Sequence, residues 1–283
     1  MNKTIIFLLI ILVFVSIACS INVPFGTFET GDVEIFDFSA PAPDGESPQN
    51  IIIEMAAGKL NLSGGSEGLI DGTIEYNIPE IEPVIDSNND HYAVIQDIQF
   101  DTARFPVGKI VNKWDLILGT SPIDLTINAG AYDGKLDLSE IPILTLEISD
   151  GASNSDISFN LPNPVVMESF EYRTGASNIS IYGLANANLE QLVFEGGAGS
   201  YTLDFSGELQ RDCNASVTSG VSNLKVVIPE GVRSQVNIVG GLNNIYLTGT
   251  WTVDDRTYET TGEGSLITIN VDMGVGSLEL INQ

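Results

Sequence analysis

Histidine, cysteine and basic residues are scarce in this chain of 283 residues, and each shortage closes off a class of function. A single histidine, His91, leaves almost no room for imidazole acid–base chemistry. Two cysteines, Cys19 and Cys213, cannot build a thiol-ligated zinc site or a disulfide framework. Eleven Lys and Arg stand against 38 Asp and Glu, a formal net charge of −27. Such a surface repels phosphate backbones, so nucleic acid is excluded as a partner. Past residue 50 sustained helical periodicity is missing too, whereas apolar–polar alternation rich in β-branched residues recurs, punctuated by Gly, Asn, Asp, Ser and Pro. With 43% hydrophobic residues the chain can still bury a core, so it is read as all-β and folded.

The amino end reads as an export signal. Met1-Asn2-Lys3-Thr4 carries one positive charge and leads into the eleven apolar residues 5–15, then Ser16-Ile17-Ala18-Cys19. A membrane span needs roughly 20 apolar residues, so this run is short for one. The ending resembles the lipobox of bacterial lipoproteins, in which cleavage before the cysteine leaves it diacylated. Ser16 stands where that pattern usually has Leu, and Ser16-Ile17-Ala18 also suits an ordinary signal peptidase. The expectation is a signal over 1–18 and a lipid-anchored Cys19 at the cell membrane or outer membrane, with a soluble secreted protein if Cys19 is not acylated. Removal of 1–18 takes away Lys3 and no acid, leaving ten bases against 38 acids. Residues 19–49, with Pro41, Pro43, Pro48 and several acids, are expected to form a polar tether.

A repeat emerges when the chain is aligned on Gly130, Gly151, Gly175, Gly197, Gly220, Gly241 and Gly274, at steps of 21, 24, 22, 23, 21 and 33. Five and three residues before each glycine stand apolar pairs such as Leu146/Ile148, Phe170/Tyr172 and Leu192/Phe194; six after it stand Leu136, Ile157, Ile181, Leu203, Val226, Leu247 and Leu280. Even spacing sets these side chains on one face of each half-strand. An eighth copy lies at 51–62, with Ala56 in the glycine's place. A unit this short cannot bury its apolar face alone, so copies must stack. The expected fold is a single-stranded β-solenoid, β-helix-like, with rungs of about 20–24 residues spaced about 4.8 Å apart. Glycine is expected to allow positive φ at a turn, followed by a small or aliphatic residue. Three residues after the glycine stand Asp133, Asn154, Asn178, Ser200, Asn223, Asn244 and Ser277, read as a structural turn ladder. Only one of these is charged, too few for a calcium row, and no metal or other cofactor is expected.

Three stretches carry a family resemblance: Ala57-Gly58-Lys59-Leu60-Asn61-Leu62-Ser63-Gly64-Gly65, Gly68-Leu69-Ile70-Asp71-Gly72-Thr73-Ile74-Glu75-Tyr76-Asn77-Ile78-Pro79, and Asn112-Lys113-Trp114-Asp115-Leu116. With the closing residues 271–280 they resemble the toast-rack proteins, bacterial envelope proteins related to the C-terminal region of LiaF-type envelope-stress regulators and to adhesin-like domains. The resemblance spans about residues 50–283. It implies a stacked β-rod and a role in sensing or adhesion at the cell surface, and it brings no catalytic residues. LiaF-type proteins carry several membrane helices before this region, whereas here a signal alone is expected, which puts a direct signalling role in doubt. The layout expected is a toast-rack-like section over 50–115 and solenoid repeats over 116–283.

Individual candidates are few. His91 sits in the polar stretch Asn88-Asn89-Asp90-His91-Tyr92 and reads as a solvated turn residue. Cys213 has no evident base and reads as an inert thiol. The sequon-like Asn178-Ile179-Ser180 and Asn214-Ala215-Ser216 read as turn or ladder residues. The 33-residue step holds an insertion over 248–265, in which Trp251, Asp254, Asp255, Arg256 and Tyr258 form a candidate binding loop for a sugar ring, or a lid over the core end. The function expected is a non-catalytic surface interaction, adhesin-like or envelope-stress-related module, held to the membrane through Cys19 and meeting an envelope polymer or surface protein. The alternative is a polysaccharide-active enzyme on a parallel β-helix scaffold, which requires two acids at a set separation in an open groove.

Overall fold

A computed structural model describes residues 26–45, 47–88, 90–96 and 104–283. The export signal and Cys19 lie outside the described residues. Among the described residues there is no α-helix, only a 3-10 turn at Pro79–Ile81, and no helix is long and apolar enough to cross a membrane.

Eight long strands build the rod: β3 (Gln49–Gly64), β9 (Ile123–Asp137), β10 (Ile143–Ser158), β11 (Met167–Tyr182), β12 (Leu189–Asp204), β13 (Cys213–Ile228), β14 (Gly231–Thr248) and β17 (Gly262–Asn282). All are parallel to their long neighbours, and the expected repeat is in register throughout: Gly130 opens a column continued by Gly151, Gly175, Gly197 and Gly220, and Ala56 takes the glycine's place in β3.

Each rung is one extended strand with a corner in it. In β13, Cys213, Ala215, Val217 and Ser219 are buried in strict alternation; Gly220 and Val221 are then both exposed, and burial resumes at Ser222, Leu224 and Val226. The doubled outward pair resets the two-residue period, so both arms turn their apolar sides to one interior. Without it every apolar residue after the glycine would face water. Linking segments close the third side with the buried Leu138, Phe159, Leu184 and Phe205. The middle rungs carry an aromatic run from Phe159 through Phe170, Tyr172 and Phe194 to Tyr201, ring centroids 4.9–6.5 Å apart.

The glycines are needed for a reason other than the one expected. None of the seven has positive φ. What each lacks is room: a Cβ on Gly151 would lie 2.8 Å from the Gly130 carbonyl oxygen, on Gly175 2.5 Å from that of Gly151, and on Gly197 2.2 Å from that of Gly175. At the corner successive backbones approach so closely that only glycine fits.

Four further expectations are corrected. The segment read as a tether contains β1 (Gly26–Glu29) and β2 (Glu34–Ala40). β2 joins the main sheet, antiparallel to β4 (Ile70–Tyr76), which in turn pairs with β8 (Asn112–Leu118). β8 runs across the expected division at residues 115/116, and β3 and β9 pair directly, so the sheet is continuous there. The remaining short strands are β5 (Val84–Asn88), β6 (His91–Ile95) and β7 (Arg104–Val107). His91 therefore opens a strand, half-buried, rather than sitting in a turn. The fourth correction concerns the insertion: it folds into β15 (Thr252–Asp254) and β16 (Thr257–Thr260), and β16 lies antiparallel on the outer edge of β14. The chain then returns as β17, which slots between β13 and β14 although those two are consecutive in sequence. Gly274 accordingly sits on Gly220, and Gly241 on Gly274.

Candidate interaction surface

The corner has a polar lining beneath it. Position −1 from the glycine and position +2 both point inward at the bend, where the two arms diverge from the apolar core. In β10 to β13 they hold Asp150 and Ser153, Thr174 and Ser177, Gly196 and Gly199, Ser219 and Ser222. Asp150 is the hub: its Oδ2 accepts from Tyr172 Oη at 2.7 Å and from Ser153 Oγ at 2.9 Å, and its Oδ1 accepts from Thr174 Oγ1 and from Ser177 Oγ at 3.2 Å. Ser153 N–H donates to Ser177 Oγ at 2.7 Å, and the Tyr132 and Tyr172 hydroxyls meet at 3.2 Å. Burial pushes Tyr132 up to about 12, and it also raises Tyr172, so both phenols stay protonated at neutral pH.

Rung β12 interrupts this lining with two glycines, and an aromatic ring takes their place. A Cβ on Gly196 would meet Tyr201 Cε2 and Cζ at 2.6 Å. Tyr201 is 1% exposed, and among the described residues its hydroxyl is the one buried side-chain polar atom without a hydrogen-bond partner. Burial, and then the charge of Asp150, holds its ionisation above the ordinary phenol range.

Over this lining, on the outer side, an open groove of about 960 Å³ crosses the rungs from β3 to β13. Its walls include Glu54, Asn128, Asp150, Arg173, Glu195 and Thr218, and the corner glycines Gly130 and Gly197 give it stretches of bare backbone. Arg173 is shared among Glu147 at 3.1 Å, Glu195 at 3.3 Å and Glu171. Exposed pairs like these contribute little to stability. Their larger effect is on charge, since the one base on the groove wall is outnumbered by carboxylates. The electrostatics of this surface favour neutral or cationic groups over anionic ones.

The candidates drawn from sequence are placed as follows. Asp133, Asn154, Asn178, Ser200, Asn223, Ser277 and Asn244 form an unbroken in-register column on the outer face, all but the half-buried Ser277 exposed. It lies within the strands, not in turns. Among the described residues its single cross-rung side-chain bond is Ser277 Oγ to Asn223 Oδ1 at 2.6 Å. The cross-rung bonding expected there is made on the linking side by other asparagines: Asn186 Nδ2 donates to Phe159 O, Asn188 Nδ2 to Val165 O, and Asn163 Nδ2 to Ile143 O, at 2.8–2.9 Å. Of the insertion residues, Tyr258 is buried against the core and Trp251 is half-buried, its Nε1–H donating to Thr248 O at 3.0 Å. Asp254, Asp255 and Arg256 are exposed, and Arg256 O accepts from Ile238 N–H at 3.0 Å. Cys213 is buried, which pushes its thiol up to about 12.

Sequence reading missed the Asp150 centre. Its signal was present as polar residues recurring at −1 and +2, in Asp150/Ser153, Thr174/Ser177 and Ser219/Ser222, three residues apart across each glycine. Equally unread were Gln96 and Asn112. Gln96 Nε2 donates to Asn112 Oδ1 at 2.9 Å, while Asn112 Nδ2 donates to Gln96 Oε1 and to Ala57 O, both at 2.8 Å. Trp114 Nε1 donates to Asn112 Oδ1 at 3.0 Å, and Ala56 N to Gln96 Oε1 at 3.3 Å. This buried amide pair plugs the gap where β6 ends and β8 begins along β3.

Residues 29–163 and 158–227 match the family described as the N-terminal domain of toast_rack, DUF2154. No curated protein matches the chain. Among solved structures, a candidate cell adhesion protein of Clostridium sporogenes is 17% identical, with a TM-score of 0.47 over 89% of this chain and 99% of that one. A candidate adhesin of Bacteroides fragilis is 11% identical, with a TM-score of 0.49 over the same shares of the two chains. A candidate lipid binding protein of Parabacteroides distasonis is 8% identical, with a TM-score of 0.37, again over 89% and 99%.

Proposed function

Starting from a chain that belongs to the toast-rack family, we propose an exported, non-catalytic surface interaction module, adhesin-like or envelope-stress-related, anchored to the membrane by a diacylated Cys19. The observation that carries this reading is the open groove across the rungs. Parallel rungs repeat one geometry about every 4.8 Å, so the groove offers an extended polymer the same contacts several times over, a form of multivalency within one chain. Short polar side chains and bare glycine backbone supply donors and acceptors there, and the surplus of carboxylates favours a neutral or cationic envelope polymer, or a surface protein segment of that character. The bonding of Asp150 supports a non-catalytic role: both its oxygens already accept from hydroxyls of its own chain, four in all, so its bonding capacity is spent within the protein. The sequence Ser16-Ile17-Ala18-Cys19 supports the anchor.

A binding screen against cell-wall polymers and neutral or amino-bearing glycans tests the groove. The expected result is retention by the natural chain and by Trp251→Ala, with loss in Ser149→Trp, which fills the groove from its outer wall. Equal binding by Ser149→Trp would remove the groove from the proposal; loss in Trp251→Ala would transfer the site to the insertion. Intact-mass measurement of the mature protein tests the anchor, which requires a chain beginning at Cys19 and carrying acyl groups.

A further inference from the structure

We propose that the second arm of β14, residues 239–248, is a strand-addition edge at which two copies of this chain pair. On its inner side β14 is matched by β17 along its whole length, from Gly231 to Thr248. On its outer side β16 covers Ser234–Asn237 alone, and one more bond joins Ile238 N–H to Arg256 O. Among the described residues no strand pairs with the outer edge beyond that point. The strand therefore ends the sheet with a row of backbone donors and acceptors facing outward, the arrangement that recruits another strand.

The side chains of this edge fit a strand and not water. Leu247 occupies the column of Leu280 and Val226, both fully buried, yet it is 44% exposed because no further rung covers it. Val239 and Tyr246 are 59% and 58% exposed, in register with Asp272 and Glu279 of β17. Charge thus gives way to apolar surface in the last rung. All twenty residues from Ser234 to Val253 are uncharged, in a chain of net charge −27. Sheet edges are commonly guarded by charge or proline, and this one has neither. β2, the edge strand at the opposite end, carries Glu34 and Asp37.

These facts favour a second copy as the occupant. Two molecules of this charge repel each other over most of their surfaces and can approach closely where neither bears charge. A two-fold contact needs only the one edge, since the same patch serves both partners. An antiparallel register centred on Tyr246 sets Ile245 of each copy opposite Leu247 of the other, extending both cores across the joint.

Oxidative cross-linking of the full chain tests this. Tyr246→Cys brings two thiols face to face across the axis. Tyr182→Cys is the matched control, 43% exposed on a rung inside the stack. Cys213 is buried and does not compete. The expected outcome is a disulfide-linked dimer from Tyr246→Cys and none from Tyr182→Cys or the natural chain. Sedimentation of the otherwise unaltered chain should give twice the monomer mass, and Tyr246→Lys, which sets like charges against each other across the axis, should give a monomer whose strand content by circular dichroism is unchanged. A monomeric natural chain, equal cross-linking of the two cysteine variants, or a dimer that survives Tyr246→Lys would each overturn the proposal. A monomeric chain that still takes up a strand of another protein falls among the overturning results.

Discussion

The rod is finished differently at its two ends. At the β3 end, two short strands share one edge, β6 along residues 50–54 and β8 along 59–64, and buried Gln96 and Asn112 fill the gap between them. At the β14 end the hairpin of β15 and β16 lays Tyr258 and part of Trp251 over the core of the first arm and leaves the second arm open. One end is closed by directed hydrogen bonds, the other by an apolar lid of half the needed width. The contrast shows that a solenoid needs closure of two things, its apolar interior and its backbone edge, and that the two can be met separately.

The sharpest way to break this comparison is at the polar end. Asn112→Ala strips bonding partners from Gln96, from Ala57 O and from Trp114 Nε1 at once, all inside the protein; the expected loss is about 3–4 kcal/mol in urea unfolding. Adding Gln96→Ala to it should cost less than Gln96→Ala costs alone, because the lock is already broken. Strict additivity would mean the two amides do not act as a unit. At the apolar end Tyr258→Ala is expected to cost about 3 kcal/mol, from lost burial and a cavity, with no comparable coupling to distant residues. If that variant unfolds no more easily than the natural chain, the hairpin is not a lid. Between the ends, Tyr172→Phe removes a donor to Asp150 and should cost about 1–2 kcal/mol, whereas Tyr201→Phe removes a hydroxyl that bonds nothing and should lie within about 1 kcal/mol of zero, on the stabilising side. Equal losses in both would show that Tyr201 has a partner.

Much of the architecture was legible because its signals are local. The glycine beat, the inward pairs at −5 and −3 and the apolar residue at +6 could be read from spacing alone, and they lead to parallel rungs and one interior, whereas the Asn/Ser column read as a turn ladder lies instead on the outer face of the strands. The segment 34–40 escaped because its neighbours are acids and prolines, and its partner β4 lies about 35 residues away. In Glu-Ile-Phe-Asp-Phe-Ser-Ala the alternation was present but too short to outweigh composition. The Asp150 centre was partly legible. Its −1 and +2 residues recur in the sequence, but that they converge on one carboxylate depends on how sharply each rung bends.

The rung is written locally in the chain: which residues face in, where the strand turns, and that copies stack. That is so because a two-residue period and a backbone too crowded for a Cβ are properties of a short stretch of chain. Tertiary structure decided which rung lies on which. Every copy offers its neighbours the same apolar pattern, so nothing local distinguishes β14 from β17 as the partner of β13. The choice rests on chain closure, on where the hairpin can fold back, and on which strand is left at the edge.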